Sequence, residues 1–265
     1  FKYLPRNIKV ANNEKPDTAQ TEMVVSDVVI TDSIGMDSLN VEDTNVIVFK
    51  KYIYLTIDDS PLTCSSYIDS IITATQTRVS VFMVGKPANC CNRFKKYLKK
   101  IKENPYIEIY NHSYSHAGHK YVQYYTDPEM VLADFDKNET NFDIQHKIAR
   151  LPGRNIWHLG EKKRYLPSGS TSADLLSANG YRVYGWDIEW QYDPCNYKPK
   201  QSVEQLIKQI ERIHYHSQSF TPNHVVLLMH DQMFGVRNGG NDLEQLINGL
   251  KELGYIFEYL TNYPG

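Results

Sequence analysis

The chain has 265 residues, enough to bury a hydrophobic core in one large domain or in one domain with a short appendage. Its formal net charge is −2 and its basic residues form no long stripe, so neither charge nor any motif supports binding to nucleic acid. No apolar run approaches the roughly 20 residues that a membrane-spanning helix needs, so we expect no membrane span.

Residues 1–45 are polar and contain few aromatic residues, with scattered short β-like runs such as MVVSDVVI. This texture predicts an extended N-terminal arm with a short strand or two. Alternating strand-like and helix-like runs begin after this point. We therefore divide the chain into an arm, residues 1–45, and one folded domain, residues 46–265.

Seven strand-like runs follow the arm, with amphipathic stretches between them. The runs are KYIYLTID, RVSVFMVG, YIEIYNHS, HKIARLP, YRVYGWDIEW, HVVLLMHD and YIFEYLTNY. The last two amphipathic stretches, SVEQLIKQIERIHYH and DLEQLINGLKELG, repeat apolar residues at helical spacing. Strands that alternate with helices are typical of βα units around a parallel sheet. The pattern predicts an α/β fold, a distorted (β/α)7 barrel of the TIM-like type that is one unit short of eight.

Titratable side chains follow the ends of five of these predicted strands, which is where parallel barrels carry their chemistry. The residues are Asp58 and Asp59, His112 and His116, Arg150, Asp187 and Glu189, and His230 and Asp231. Each has an ordinary explanation by itself, such as a turn for paired aspartates. It is improbable that five such independent explanations apply at the same rim. The clustering of titratable residues at five strand ends therefore indicates a functional site.

Five short motifs at these strand ends occur in a fixed order along the chain. They read TIDDSP (56–61), HSYSH (112–116), RLPG (150–153), GWDIEWQYD (185–193) and LMH (228–230). In this series the chain resembles the polysaccharide deacetylases of carbohydrate esterase family 4, the NodB-homology domain, from about residue 50 to residue 262. Two motifs depart from the family pattern: Gly153 stands at a usual aromatic position, and Glu189-Trp190 stands where the family has Asp-Trp.

The resemblance implies a metal-dependent hydrolase that removes acetyl groups from the N-acetylated sugars of a polysaccharide. Asp59, His112 and His116 are the implied ligands of a divalent metal. Two imidazoles with one carboxylate favour Zn2+ and also accept Co2+, Ni2+ or Fe2+. Asp58, beside the metal but unbound, is the implied general base. Arg150 is expected to pair with Asp58 and to keep it ionised and oriented.

The resemblance also assigns the remaining roles at the site. His230 is the implied general acid that protonates the leaving amine, and it needs a carboxylate partner, for which Asp187 and Glu189 are the two candidates. The backbone N–H of Gly153 is the implied donor to the oxyanion. The residues expected to line the substrate groove are Trp157, Trp190 and Leu228.

Two other functions stay open at this point. The same site would serve an O-acetyl (xylan-type) esterase or another amide hydrolase. The altered third and fourth motifs also allow a carbohydrate-binding relative that has lost turnover. The acetylated glycan partner is equally compatible with peptidoglycan, chitin-like oligomers or poly-N-acetylglucosamine, and the oligomeric state is open.

Location and cysteine chemistry are further expectations. The chain begins at Phe1, which is compatible with a processed start, and a polymeric substrate is typical of an exported protein, so we expect a bacterial periplasm or cell surface. The four cysteines, Cys64, Cys90, Cys91 and Cys195, lack the CxxC spacing of zinc ribbons or redox motifs. They are either reduced or joined by one disulfide, for which Cys64 with Cys90 or Cys91 is the expected pair.

Overall fold

The computed structural model describes residues 28–30, 47–235 and 241–265. Strand β1 (Val28–Ile30) pairs with β2 (Ile47–Phe49) in a small two-stranded sheet. The rest of the predicted N-terminal arm lies outside the described residues. The division between arm and domain therefore stays a prediction, and the folded unit considered below starts at Phe49.

Within the described part of the chain, one sheet of ten strands forms the centre of this unit. The strands are β3 (Lys51–Ser60), β4 (Val79–Met83), β5 (Ile107–Asn111), β6 (Ile148–Ala149), β7 (Trp157–Leu159), β8 (Lys162–Arg164), β9 (Arg182–Val183), β10 (Ile188–Glu189), β11 (His224–His230) and β12 (Tyr255–Phe257). They run in the spatial order β10-β11-β3-β4-β5-β6-β9-β7-β8, and β12 pairs with β3. The pairing is parallel except at β7, which is antiparallel to both β8 and β9.

Helices alternate with these strands along the chain. They are α1 (Ser65–Thr75), α2 (Gly85–Cys90), α3 (Asn92–Glu103), α4 (Tyr121–Tyr124), α5 (Pro128–Phe142), α6 (Ser170–Ala178), α7 (Val203–Tyr215) and α8 (Asp242–Glu252). Local signals explain two of the starts. Asp127 accepts a hydrogen bond from the N–H of Met130 at the start of α5, and Ser202 with Gln205 forms a capping box at the start of α7.

Alternate residues of β3 face opposite sides of the curled sheet. Ile53, Leu55 and Ile57 pack with apolar residues of α1, α7 and α8 in the outer core. Tyr54 lies on the other side, in an inner cluster rich in aromatic residues. Asp58 follows at the same two-residue spacing, so β3 carries its carboxylate to the inner face.

The predicted fifth strand breaks into two pieces, β9 and β10, which pair with different parts of the curled sheet. The N–H of Tyr184, just after β9, donates to Ala149 O in β6, whereas the N–H of Asp187, just before β10, donates to Val226 O in β11. The three Cα–Cα steps from Tyr184 to Asp187 span at most about 11 Å, so β9, which pairs with β6, lies near β10, the edge strand beside β11. The α/β class and the distorted (β/α)7 barrel predicted from the sequence are confirmed.

Two details of the prediction differ from the structure. The predicted loop after β6 contains the β7–β8 hairpin, and the predicted seventh strand keeps only three residues before a 3₁₀ turn at Leu260–Asn262. Among the described residues, no helix combines the length and the apolar character that crossing a membrane requires.

Candidate metal centre and active site

Parallel pairing brings the predicted site residues to one end of the barrel. Asp58, near the end of β3, lies opposite His230, the last residue of β11. The last residue of β5 lies opposite the last residue of β6, so the residues that follow, His112 and Arg150, leave their strands side by side. Strand register therefore joins the first, second, third and fifth motifs at one rim.

Asp59, His112 and His116 form a compact group of possible metal ligands. One donor atom from each lies within 4.8 Å of the others. Asp59 Oδ1 is 3.1 Å from His116 Nε2 and 3.8 Å from His112 Nε2. Burial opposes ionisation of Asp59, but its contacts with His116 lower the pKa of the carboxyl below its ordinary value. Asp59 therefore offers a charged oxygen to a cation.

The orientation of His112 suits metal binding. Its Nδ1 lies 2.8 Å from the carbonyl oxygen of Arg150, which can only accept a hydrogen bond. Nδ1 must therefore carry the proton, and the lone pair of Nε2 is free to face Asp59. Burial also lowers the pKa of His112 and so favours the neutral imidazole that a metal requires. The donor set present in the chain thus fits a divalent cation.

Unusual backbone conformations aim these ligands. Asp59, Ser113 and His116 adopt φ values of 71°, 65° and 53°, a left-handed region that residues other than glycine enter rarely. Side chains stabilise the turn after β5: Ser113 Oγ accepts from the N–H of His116 at 3.0 Å, and Asn111 Oδ1 accepts from the N–H of Ser113 at 3.0 Å. Such conformations concentrate at functional sites because surrounding contacts must maintain them.

Asp58 is buried beside the three ligands and is held by Arg150. Its Oδ1 accepts a 2.8 Å hydrogen bond from Arg150, and its Oδ2 lies 3.5 Å from His112 Nε2. The fully buried guanidinium also donates to Thr56 Oγ1 and to the carbonyl oxygens of Tyr184 and Gly185. These contacts fix one oxygen of Asp58 and leave the other available.

His230 lies at the rim without the carboxylate partner expected for it. Its Nδ1 is buried and has no hydrogen-bond partner among the described residues. The carboxylate of Asp187 instead accepts from the backbone N–H groups of Phe220, at 2.6 Å, and Val226, at 2.9 Å. Asp187 therefore has a structural role, which corrects its assignment as a partner of His230. Glu189 lies in register with Leu228 of β11, and no hydrogen bond joins it to His230 Nδ1.

The buried position of Asp187 predicts a pH dependence of stability. Burial raises the pKa of its carboxyl from 3.8 to about 6. Because the folded pKa lies above the unfolded value, Asp187 adds stability at low pH that is lost as the pH rises through about 6. We expect the stability advantage of the wild type over Asp187→Asn to shrink by at most about 3 kcal/mol between pH 4 and pH 7. Denaturant unfolding at each pH measures it, and an unchanged advantage would contradict this explanation.

The residues expected to line the groove are core residues. Trp157 has an exposed fraction of 0% and stacks on Phe220 with ring centroids 4.3 Å apart. Trp190 is equally buried, and its Nε1 donates to Gln201 O. Leu228 is 2% exposed. The prediction that these side chains face a substrate is wrong, because strand alternation and the curl of the sheet turn them into the protein.

Gly153 occupies the place predicted for the oxyanion donor, just beyond β6. It is exposed and adopts a φ of 64°. A side chain there would be strained and would meet the ring of Tyr121, since an added Cβ would lie 3.2 Å from that ring. The local backbone therefore explains why glycine replaces the usual aromatic residue.

Sequence reasoning missed the role of Asp231. Its fully buried carboxylate accepts hydrogen bonds from Ser60 Oγ, Ser65 Oγ and the N–H groups of Leu62 and Cys64. These hydrogen bonds join the end of β3 and the loop after it to the turn that follows His230. The paired aspartates lie within β3, just before that loop. The signal in the sequence was an aspartate directly after a strand-terminal histidine, which is also a common helix-capping pattern.

Sequence reasoning also missed two tyrosines that lie beside the site. The hydroxyl of Tyr121 is 3.4 Å from His116 Nδ1, and the ring of Tyr192 packs edge-on against His230 with centroids 5.0 Å apart. The chain contains 20 tyrosines, and no motif distinguishes Tyr121 from the others, whereas Tyr192 lies within the fourth motif but was given no role there.

The expected disulfide is not present. Cys64 is a buried free thiol that donates to Gln232 O, while Cys90 and Cys91 are free thiols at the junction of α2 and α3. Cys195 is free and exposed. The reduced alternative therefore describes this structure.

Comparison with known proteins agrees with the motifs. Residues 47–154 match the family model described as polysaccharide deacetylase, a segment that contains the first three motifs. A putative polysaccharide deacetylase, YheN, of Bacillus subtilis is 27% identical over 218 residues, which cover 80% of this chain and 68% of that protein.

Solved structures share the fold. The polysaccharide deacetylase Bc1974 from Bacillus cereus aligns with a TM-score of 0.56 and 20% identity, over 82% of this chain and 95% of that one. The catalytic domain of a peptidoglycan N-acetylglucosamine deacetylase from Eubacterium rectale aligns with a TM-score of 0.58 and 24% identity, over 81% of this chain and 90% of that one. Motifs, family match and fold together confirm that this chain is similar to the polysaccharide deacetylases of carbohydrate esterase family 4.

Proposed function

We propose that the protein is a metal-dependent hydrolase that removes acetyl groups from the N-acetylated sugars of a polysaccharide. One observation carries the proposal: the adjacent carboxylates of Asp58 and Asp59 have different surroundings. Asp59 forms a group of possible ligands with His112 and His116, whereas Asp58, beside that group, accepts a hydrogen bond from Arg150 on Oδ1. Metal-assisted hydrolysis of an acetyl amide uses a Lewis acid and a general base, and this division provides a site for each.

Asp59, His112 and His116 would hold the divalent cation, with Zn2+ as the first choice and Co2+, Ni2+ or Fe2+ as alternatives. When bound, the cation would supply Lewis acidity to the acetyl carbonyl and favour ionisation of water. Asp58 then takes the proton of the attacking water on Oδ2, because Oδ1 is engaged by Arg150. The same guanidinium stabilises the charged form of Asp58 before the proton moves.

The leaving amine and the oxyanion would be served by other loops of the rim. The N–H of Gly153 donates to the developing oxyanion. His230 gives a proton to the departing amine. Glu189 is the remaining candidate for the carboxylate partner of His230. Burial, the charge of Asp59 and then the charge of Glu189 raise the pKa of Tyr192. The ring of Tyr192 in turn packs against His230.

A carbohydrate-binding relative with little turnover is the second candidate. The observation that favours it is the unpartnered Nδ1 of His230, since a general acid without an orienting carboxylate is a weaker catalyst. An O-acetyl esterase or another amide hydrolase would use the same residues as the first proposal. A polysaccharide substrate also places the protein outside the cytoplasm, in a periplasm or at the cell surface.

Metal analysis together with acetate release tests the proposal. We expect the wild type to bind Zn2+ and to release acetate from N-acetylated glycans more readily than from O-acetylated xylan. In Asp59→Gly the Zn2+ affinity should fall by at least about 100-fold, because one of the three side chains that would bind the metal is lost. Glycine also accepts the φ of 71° at this position, so a loss of metal in this variant cannot be attributed to backbone strain.

Asp143→Gly is the matched control. Asp143 is an exposed aspartate with a φ of 51° at the end of α5, so it undergoes the same substitution away from the site. We expect its metal content and activity to equal those of the wild type. Unchanged metal binding by Asp59→Gly would show that residues other than Asp59 bind the metal. Metal binding without acetate release from any glycan would favour the binding relative, and release from xylan alone would favour the esterase.

A further inference from the structure

We infer that Tyr121 and Tyr192 form the two aromatic walls of the substrate cleft, and that Tyr121 also orients the metal ligand His116. The inference deepens the proposed function and rests on it, because it names the residues that recognise a sugar at that site. Tyr121 lies outside the five motifs, and Tyr192 lies within the fourth, GWDIEWQYD, where the resemblance gave it no role. The three residues first expected to line the groove, Trp157, Trp190 and Leu228, are buried and leave this role to other side chains.

Tyr121 occupies the space beside Gly153. A Cβ built on Gly153 would lie 3.2 to 3.5 Å from three atoms of the Tyr121 ring. The aromatic group missing from the third motif is therefore replaced in space by one from the chain after β5. Tyr121 is half-buried, and Arg154 lies 5.8 Å from its ring centroid, so one part of the ring is packed while another part stays accessible.

The hydroxyl of Tyr121 gives it a second role. It lies 3.4 Å from His116 Nδ1, while His116 Nε2 faces Asp59 Oδ1 at 3.1 Å. For Nε2 to offer its lone pair to a metal, Nδ1 must carry the proton and donate it to an acceptor. The phenol oxygen is that acceptor, just as the carbonyl oxygen of Arg150 is the acceptor for His112. Tyr121 is thus a positioning residue for His116.

Tyr192 lies on the other side of the paired aspartates. It follows β10, whose neighbour β11 ends at His230, whereas Tyr121 follows β5 on the far side of β3 and β4. The ring of Tyr192 packs against His230 with ring centroids 5.0 Å apart, and Tyr192 is half-buried. The charge of Asp59 contributes, after burial, to a raised pKa in both tyrosines, which agrees with their positions on either side of that carboxylate.

Two phenol rings on opposite sides of the paired aspartates suit a sugar substrate. An aromatic ring offers an apolar face to the C–H groups of a pyranose, and its hydroxyl can bond to the polar edge. Neither wall carries a net charge. The cleft therefore offers uncharged, partly apolar surfaces that fit an N-acetylated pyranose.

Substitutions that separate the ring from the hydroxyl test the inference. Tyr121→Phe keeps the wall and removes the acceptor, so Zn2+ affinity, measured by competition with a chromophoric chelator, should fall about 10-fold. Its dissociation constant for chitotetraose, measured by calorimetry, should stay within about 2-fold of the wild type. Tyr121→Leu should lose the same Zn2+ affinity and also bind chitotetraose about 10-fold more weakly.

Tyr192→Leu should show the reverse of Tyr121→Phe: it should bind chitotetraose more weakly and keep its Zn2+ affinity. Tyr215→Leu is the control, because Tyr215 is 82% exposed on α7 and should leave both constants unchanged. Wild-type Zn2+ affinity in Tyr121→Phe would overturn the orienting role. If either leucine variant bound chitotetraose as the wild type does, or if the wild type did not bind it, the inference that the two tyrosines form the walls of the cleft would be wrong. Chitotetraose binding is measured in the Asp58→Asn background, which should keep the metal and lose turnover, so a wild type that releases no acetate refutes the proposed function separately.

Discussion

Replacing Asp58 with asparagine should lower kcat for acetate release by about 10²–10⁴-fold and leave the bound metal in place. The amide oxygen of asparagine can still accept the hydrogen bond that Arg150 makes at 2.8 Å, so the position of the side chain is preserved. The amide cannot take a proton from water. The loss should therefore appear in kcat, with metal content and KM close to the wild type.

Asp136→Asn provides the comparison for this variant, because Asp136 is an exposed aspartate on α5. We expect it to retain full activity. If Asp58→Asn released acetate at the wild-type rate, another group would have to be the base. A loss of metal in Asp58→Asn would instead show that Asp58 is a ligand, and the distinction between the two carboxylates would be wrong.

Arg150→Met is expected to have the largest effect on stability, with a fall of about 3–5 kcal/mol in the free energy of unfolding. Arg150 is fully buried, and methionine can fill much of its volume without its charge. The substitution leaves the buried carboxylate of Asp58 without its cation. It also leaves the carbonyl oxygens of Tyr184 and Gly185 without donors.

The double variant Asp58→Asn/Arg150→Met separates these causes. Removing the charge at position 58 abolishes the cost of an unpaired carboxylate, so the double variant should be more stable than Arg150→Met by about 1–3 kcal/mol. Denaturant unfolding provides the four free energies of the cycle. Arg93→Met, at an exposed position on α3, should change stability by no more than about 0.5 kcal/mol. Additive effects of the two substitutions would argue against a direct pairing of Asp58 with Arg150.

The local turn chemistry also shows where prediction from sequence ends. The left-handed φ of Asp59 and the side-chain bonds of Ser113 decide which way the aspartate and the histidines point. No pattern of residue types specifies these angles, because aspartate, serine and histidine adopt ordinary conformations in most turns. The motifs located the residues, and the folded loops arranged them as a group.

Much of the architecture follows from patterns that are local in sequence. Strand-like runs marked the strands, helical spacing marked α7 and α8, and polar residues at strand ends marked the rim where Asp58, His112 and Arg150 meet. These features depend on short-range periodicity and on the rule that parallel strands end on one side, so the sequence alone determined them.

Burial and pairing between distant segments were decided only by the tertiary structure. Trp157 is a core residue because the β7–β8 hairpin turns it towards Phe220, and Asp187 bonds to backbone N–H groups because the fifth strand breaks and the chain crosses from β9 to β10. Tyr121 stands beside Gly153 although 32 positions separate them in the sequence. Such contacts arise when the sheet curls and the loops pack against one another, and no single segment contains the information that specifies them.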